Sequence, residues 1–260
     1  SILARELGAG RRDEARHTFT GAHVLAAAVV VVVYAIYWLL GRSLIELGAS
    51  GAPAVAANAK LFMAIMVSFA PISFFLSLNI DALRCEGRLG FMTQVTISAT
   101  VLNIGFNWLF IGGFHWGVAG SAIGTILAQA ICLAVILAFR WRTSGALRLA
   151  RPGPVREWRQ MLALGAPTSL GLLGISLMSA ALISNIRLWE RTHYVETIAA
   201  YGVVTRILTF AYLPLMGVNI AFQTICGNNF GARKMDRTNG SLKIALTVAV
   251  IYCGLVQVIC

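Results

Sequence analysis

Thr96, Thr100, Asn103 and Asn107 fall at i, i+4, i+7 and i+11 of an otherwise apolar stretch, a spacing that puts all four on one face of a helix. Hydroxyls and carboxamides offer oxygen lone pairs to a cation and both donors and acceptors to a polar solute. None of the four is a nucleophile with a base beside it, so the chemistry they offer is binding. The run around them, Leu89 to Phe139, holds 51 residues without one Asp, Glu, Lys or Arg, which places it in lipid. Two asparagines at that depth are costly unless they are partnered or face a wet cavity. A single Asn or Thr there more often hydrogen-bonds a neighbouring helix. Four on one face favour a cavity lining for an ion or solute.

The other candidates are sparser. Gln129 continues the row of Ser121 and Thr125 and is within reach of the same cavity, although a structural Gln is as common. Gly117, Gly120, Ser121, Gly124 and Thr125 are small residues that let helix backbones approach, and read as packing. Asn219 and Gln223, four apart, share a face and form a second possible pair. Pro71, Pro167 and Pro214 lie inside apolar runs, where each removes a backbone donor and bends its helix. Arg206 lies about nine residues into its run and is expected to snorkel or to meet backbone carbonyls. Glu86, Glu157 and Asp236 sit in basic loops and are expected to be solvated, and His23 has no evident partner. No catalytic pair, no mid-membrane lysine for a Schiff base and no metal-ligand spacing is visible, so an enzyme is not expected and no metal or cofactor is implied.

These residues need helices that cross a membrane. Hydrophobic residues make up 58% of the chain and charged residues 12%, about half the charge of a soluble domain. Seven apolar segments follow: Phe19 to Leu40, Leu61 to Ile80, Phe91 to Ile111, Val118 to Phe139, Met161 to Ile186, Ile198 to Cys226 and Ile244 to Cys260. The third and fourth are separated only by Gly112 to Gly117, a glycine and aromatic turn. The net charge of +11 does not indicate nucleic acid, because the basic residues sit in short loops. Alternate loops carry sixteen Lys and Arg against four in the opposite set, which orients the richer set, Arg5 to Arg16 included, to the cytoplasm. All six tryptophans lie near span ends, as an interfacial belt requires. The five cysteines form no framework. The chain opens on Ser1 and stops within an apolar run, so it is expected to be a piece of a longer protein.

A repeat supports two halves. Leu7 to Asp13 (LGAGRRD) aligns with Phe230 to Asp236 (FGARKMD) at a constant offset of 223 residues. Six expected spans separate the copies, so both lie on one face, as in parallel transporter repeats. Gly-Ala-basic turns also recur by chance in such loops.

Several segments together resemble the multidrug and toxic compound extrusion (MATE) transporters. Glu6-Leu7-Gly8-Ala9-Gly10 with Glu14-Ala15-Arg16 is similar to the loop after that family's second span. Asn103 to Asn107 with Gly117 to Thr125 resembles its fifth and sixth spans. Ala199-Ala200-Tyr201-Gly202 with Arg206-Ile207, then Asn228 to Ala232, resembles its eighth span and the following loop. The resemblance implies an all-α polytopic membrane protein, a fragment of a twelve-helix bundle of two six-helix lobes forming a V. Residues 1–140 would belong to the N-terminal lobe, 141–159 to a cytoplasmic linker with Pro152 and Pro154, and 160–260 to the C-terminal lobe. It further implies a monomer in the bacterial inner membrane that exports organic cations and drugs in exchange for Na+ or H+ by alternating access. Many members carry an Asp at the position of Asn107, and some a Glu in the span matching Met161 to Ile186. This chain has neither, and a neutral Asn can coordinate sodium but cannot release a proton. The alternatives are a lipid-linked saccharide flippase of the same superfamily, which needs several inward basic residues where only Arg206 is available, and a seven-span receptor or sensor if the chain is complete.

Overall fold

The computed structural model describes residues 2–49, 53–150, 155–189 and 194–259, and every regular element among them is helical. A short α1 (Ile2–Gly8) precedes α2 (Arg12–Ala49), α3 (Pro53–Ser68), α4 (Ala70–Cys85) and α5 (Leu89–Asn107). A π-helical turn, Trp108–Gly113, leads to α6 (Gly117–Arg142), followed by α7 (Val155–Trp189), α8 (Tyr194–Gly231) and α9 (Met235–Ile259). Among the described residues six helices are long and apolar enough to cross a membrane, and a bent pair of helices brings the number to seven when taken as one span. The expected spans are all present, with one correction.

The second span, read as a single helix from Leu61 to Ile80, is broken. Ala57–Ser68 and Ala70–Cys85 meet at Phe69 with a bend of 53°. Pro71 stands in the first turn of α4, where its missing N–H ends the ladder of the helix before it. Phe69 N–H closes α3 on Ile65 O at 3.2 Å, and Ile72 N–H turns to Phe69 O at 3.1 Å instead of to Ser68 O. The Ser68 carbonyl is instead met by the Tyr34 hydroxyl of α2, which donates to it at 2.7 Å. Beyond the break, Ser73 of α4 donates to Gln129 Oε1 of α6 at 2.5 Å. Pro167 and Pro214 lie inside α7 and α8, which continue through them. Tyr34→Phe removes the only part of that tyrosine able to satisfy Ser68 O, and should lower stability by about 1 kcal/mol. A fall in the thermal unfolding midpoint of the purified protein checks it; an unchanged midpoint counts against the Tyr34 contact.

The chain divides into two compact units, Arg11–Pro154 in one and Ser1–Gly10 with Val155–Cys260 in the other. Pro152 and Pro154 of the expected linker lie outside the described residues. In the first unit Leu76 and Leu83 of α4, Val95 of α5, and Cys132 and Ile136 of α6 form the core. Phe91 and Phe139 stack beside it with centroids 4.0 Å apart. Helix α6 lies close along α5 and the π-helical turn because of its small residues: a methyl carbon built on Gly124 would stand 3.2 Å from Phe106 Cβ of α5, and one on Gly120 3.0 Å from Phe110 Cβ of the turn. In the second unit α8 packs against α1 and α9, and Tyr252 of α9 donates to Ala211 O at 2.8 Å. Leu170, Leu177, Phe210 and Val250 are exposed there, the side chains that lipid accepts without polar partners. Trp108, Trp141 and Trp189 stand exposed at or near helix ends.

Candidate functional site

Asn103 and Asn107 are turned toward α6, and a one-way chain of hydrogen bonds runs through them. Asn107 Nδ2 donates to Asn103 Oδ1 at 3.2 Å, and Asn103 Nδ2 donates to Thr125 Oγ1 at 2.9 Å. The Thr125 hydroxyl then donates to Ser121 O at 2.9 Å. The chain consumes donors in one direction, so the acceptor at its head is left over: Asn107 Oδ1 is buried and has no hydrogen-bond partner. Across from it α6 has no side chain, since a Cβ built on Gly124 would lie 3.0 Å from that oxygen. The glycine read as packing therefore also lets the α6 backbone stand directly against the unmatched carbonyl. Oxygens of this kind suit a desolvated cation or an N–H donor on a solute.

The rest of the expected stripe divides. Thr96 and Thr100 are exposed, and their hydroxyls return to their own helix, at Met92 O (2.9 Å) and Thr96 O (3.1 Å). Gln129, one turn beyond Thr125, has its carbonyl held by Ser73 near the helix break. Asn219 and Gln223 pair on an exposed face of α8, Gln223 Nε2 donating to Asn219 Oδ1 at 3.3 Å. Arg206, on the same helix, is exposed. Thr125, assigned to packing by its small-residue neighbours, is the residue that joins the two asparagines to α6. Its place in the row with Ser121 and Gln129 was the available signal.

A buried polar cluster in the same unit was not anticipated. Glu86, expected in solvent, has a side chain only 6% exposed and accepts from Arg140 Nη1 at 2.6 Å. Arg140 Nε donates to Asn79 Oδ1 at 2.8 Å, and Nη2 donates to Asn79 O at 3.3 Å. Arg140 Nη1 also reaches Leu147 O at 3.1 Å, and the guanidinium lies 4.9 Å from the Phe19 ring centroid. Asn79 sends its amide to Phe75 O (2.9 Å) and to His23 Nε2 (3.1 Å). His23 thus has a partner after all, and its Nδ1 donates to Phe19 O at 2.9 Å, which fits a neutral ring. Arg88 Nε stands 3.3 Å from the second oxygen of Glu86. The cluster ties α2, α4 and α6 together.

A family model described as MatE matches residues 1–109 and 167–260. The probable multidrug resistance protein YoeA of Bacillus subtilis is 26% identical over 63% of this chain and 36% of its own length. Multidrug and toxin extrusion protein 1 of Danio rerio is 26% identical over 88% of this chain and 39% of its own. The probable multidrug resistance protein NorM of Geobacillus kaustophilus is 24% identical over 96% and 56%. A solved structure described as the outward-facing conformation of a multidrug resistance MATE family transporter of the MOP superfamily superimposes with a TM-score of 0.84 at 22% identity. That match covers 99% of this chain and 57% of the solved one. The chain thus spans from 36% to 57% of the length of these relatives.

Proposed function

The chain belongs to the MatE family, and on that premise we propose that it forms part of a multi-pass transporter that exports organic cations and drugs from a bacterial cell by cation-coupled antiport. The observation that carries the coupling is the buried, unmatched Asn107 Oδ1 beside Gly124. A carboxamide oxygen at the head of a satisfied chain has free lone pairs with which to hold a hard cation, and it has no proton to exchange. Na+ is therefore the coupling ion at this site, with Asn103, Asn107 and Thr125 as the residues around it. The names of the relatives, which speak of multidrug resistance and toxin extrusion, support the substrate class.

The test is reconstitution of the full-length protein into vesicles loaded with ethidium. A Na+ gradient is expected to drive ethidium movement in a sodium-dependent way. Movement driven by a pH gradient and indifferent to Na+ would overturn the sodium assignment, and no movement under either gradient would overturn export. The flippase reading is weaker, because a lipid phosphate needs clustered cations and Arg206 is the one candidate the sequence offers within a span.

A further inference from the structure

The arginines at the cytoplasmic end of the first unit fall into two sets. Those of one set are matched: Arg11 stands 2.7 Å from Glu14, Arg16 3.9 Å from Asp13 and Arg84 2.7 Å from Asp81. Arg140 and Arg88 share Glu86. The other set is Arg12, Arg142 and Arg148, all exposed, and among the described residues no carboxylate lies within ion-pair distance of any of them. Asp13, Glu14, Asp81 and Glu86 are already engaged, so three charges at this end are left over.

The fold gathers those three. Helix α6 ends at Arg142, and the chain turns back through Gly145, whose φ of 84° suits glycine. Arg148 fastens the turn: its Nε donates to Arg140 O at 3.3 Å and its Nη2 to Trp141 O at 2.7 Å, two carbonyls from the last turn of the helix. Arg12, the first residue of α2, reaches the same turn, since its Nη1 would lie 3.6 Å from a Cβ built on Gly145. Ala150 N–H then donates to Thr20 Oγ1 at 2.8 Å, so residues 145–150 run along the first turns of α2. The negative end of α6 favours Arg142 and Arg148, but Arg12 opposes the dipole of its own helix and gains nothing from it. Trp141, 82% exposed, precedes Arg142, and Leu149, 61% exposed, follows Arg148.

We propose that Arg12, Arg142 and Arg148 form a site for the phosphate of an anionic phospholipid in the cytoplasmic leaflet, with Trp141 and Leu149 against its glycerol and upper acyl chains. The inference goes beyond the transporter reading and stands without it, because it needs only the loop charges that put this end in the cytoplasm. Guanidiniums are weakly hydrated forks that meet phosphate oxygens in pairs, and the one lysine of this unit, Lys60, belongs to the opposite face. An interfacial belt accounts for the depth of Trp141 but not for three uncompensated cations beside it. A lipid uses both the charge and the apolar surface, whereas a soluble phosphate uses the charge alone.

The test uses the full-length protein in phosphatidylcholine nanodiscs doped with phosphatidylglycerol or, in a parallel series, phosphatidylcholine, each dopant carrying dibrominated acyl chains. Fluorescence from Trp141 is read as the difference from Trp141→Phe. Half-quenching of that signal should need a mole fraction of the phosphatidylglycerol at least about fivefold lower than of the brominated phosphatidylcholine, the gain expected from one arginine near an anionic surface. Equal quenching by the two lipids overturns the site, and this comparison needs no change to the arginines. Arg12→Gln with Arg142→Gln should abolish the preference, and Arg12→Lys with Arg142→Lys should keep part of it. A preference that survives the glutamines intact overturns the assignment to these residues. Loss of the preference on adding inorganic phosphate at constant ionic strength would mark a site for soluble phosphate and overturn the lipid.

Discussion

Replacing Asn103 and Asn107 together by Leu is expected to reduce ethidium efflux at least about tenfold while the protein still inserts in the membrane. Leu at 107 deletes the unmatched oxygen itself. Leu at 103 removes both the acceptor that orients Asn107 and the donor to Thr125. A loss of about 1.4 kcal/mol in ion binding already amounts to tenfold, and the double variant removes more than one contact of that size. Insertion should survive, because leucine is welcome in lipid and Thr125 keeps its bond to Ser121 O. Initial efflux rates in vesicles, with the amount of inserted protein measured alongside, decide the matter. Unchanged efflux would sink the site.

The second large effect concerns stability. Arg140→Met is expected to cost about 3 kcal/mol, because it leaves the Glu86 carboxylate, 6% exposed, with Arg88 alone as its cationic partner. Asn79 Oδ1 also loses its donor. Arg140→Met with Glu86→Leu should recover a substantial part of the loss, since an apolar pair avoids the desolvation that the ion pair must overcome. Thermal unfolding of the purified variants in detergent reads both. If the single change costs less than about 1 kcal/mol, Arg140 is not what holds α4 and α6 together at this end.

The spans were legible because lipid imposes a length and an apolar composition that a sequence displays directly. The break in the second span was less so. Pro71 signals a bend, but Tyr34 supplies the hydroxyl that makes a full break tolerable from 34 residues away. The asparagine pair was visible by its periodicity. The division of the stripe was not: Thr96 and Thr100 share the face but spend their hydroxyls on their own helix, a choice that depends on what stands opposite. Glu86 was misread for a related reason. Its neighbours are those of a loop, and the arginine that buries it comes 54 residues later. Gln129 and Ser73 are likewise 56 residues apart. Periodicity reports a face, and long-range partners decide what that face does.

The packing of α1 against α8, where Gly8 meets the Asn228 carbonyl and Gly231 that of Arg5, also bears on how the chain is made. Gly8 leaves the ribosome 223 residues before Gly231, which at roughly 5–20 residues per second is roughly 10–45 s. For that interval α1 waits for α8, the helix it packs against. The first unit can consolidate its core of α4, α5 and α6 in the meantime, since those residues come earlier. Ile2–Gly8 is then captured late, by a helix whose contact residue is made 223 residues after it. Early and late parts of translation are in this way fastened at one point, and the order of assembly is written into the distance between two glycines.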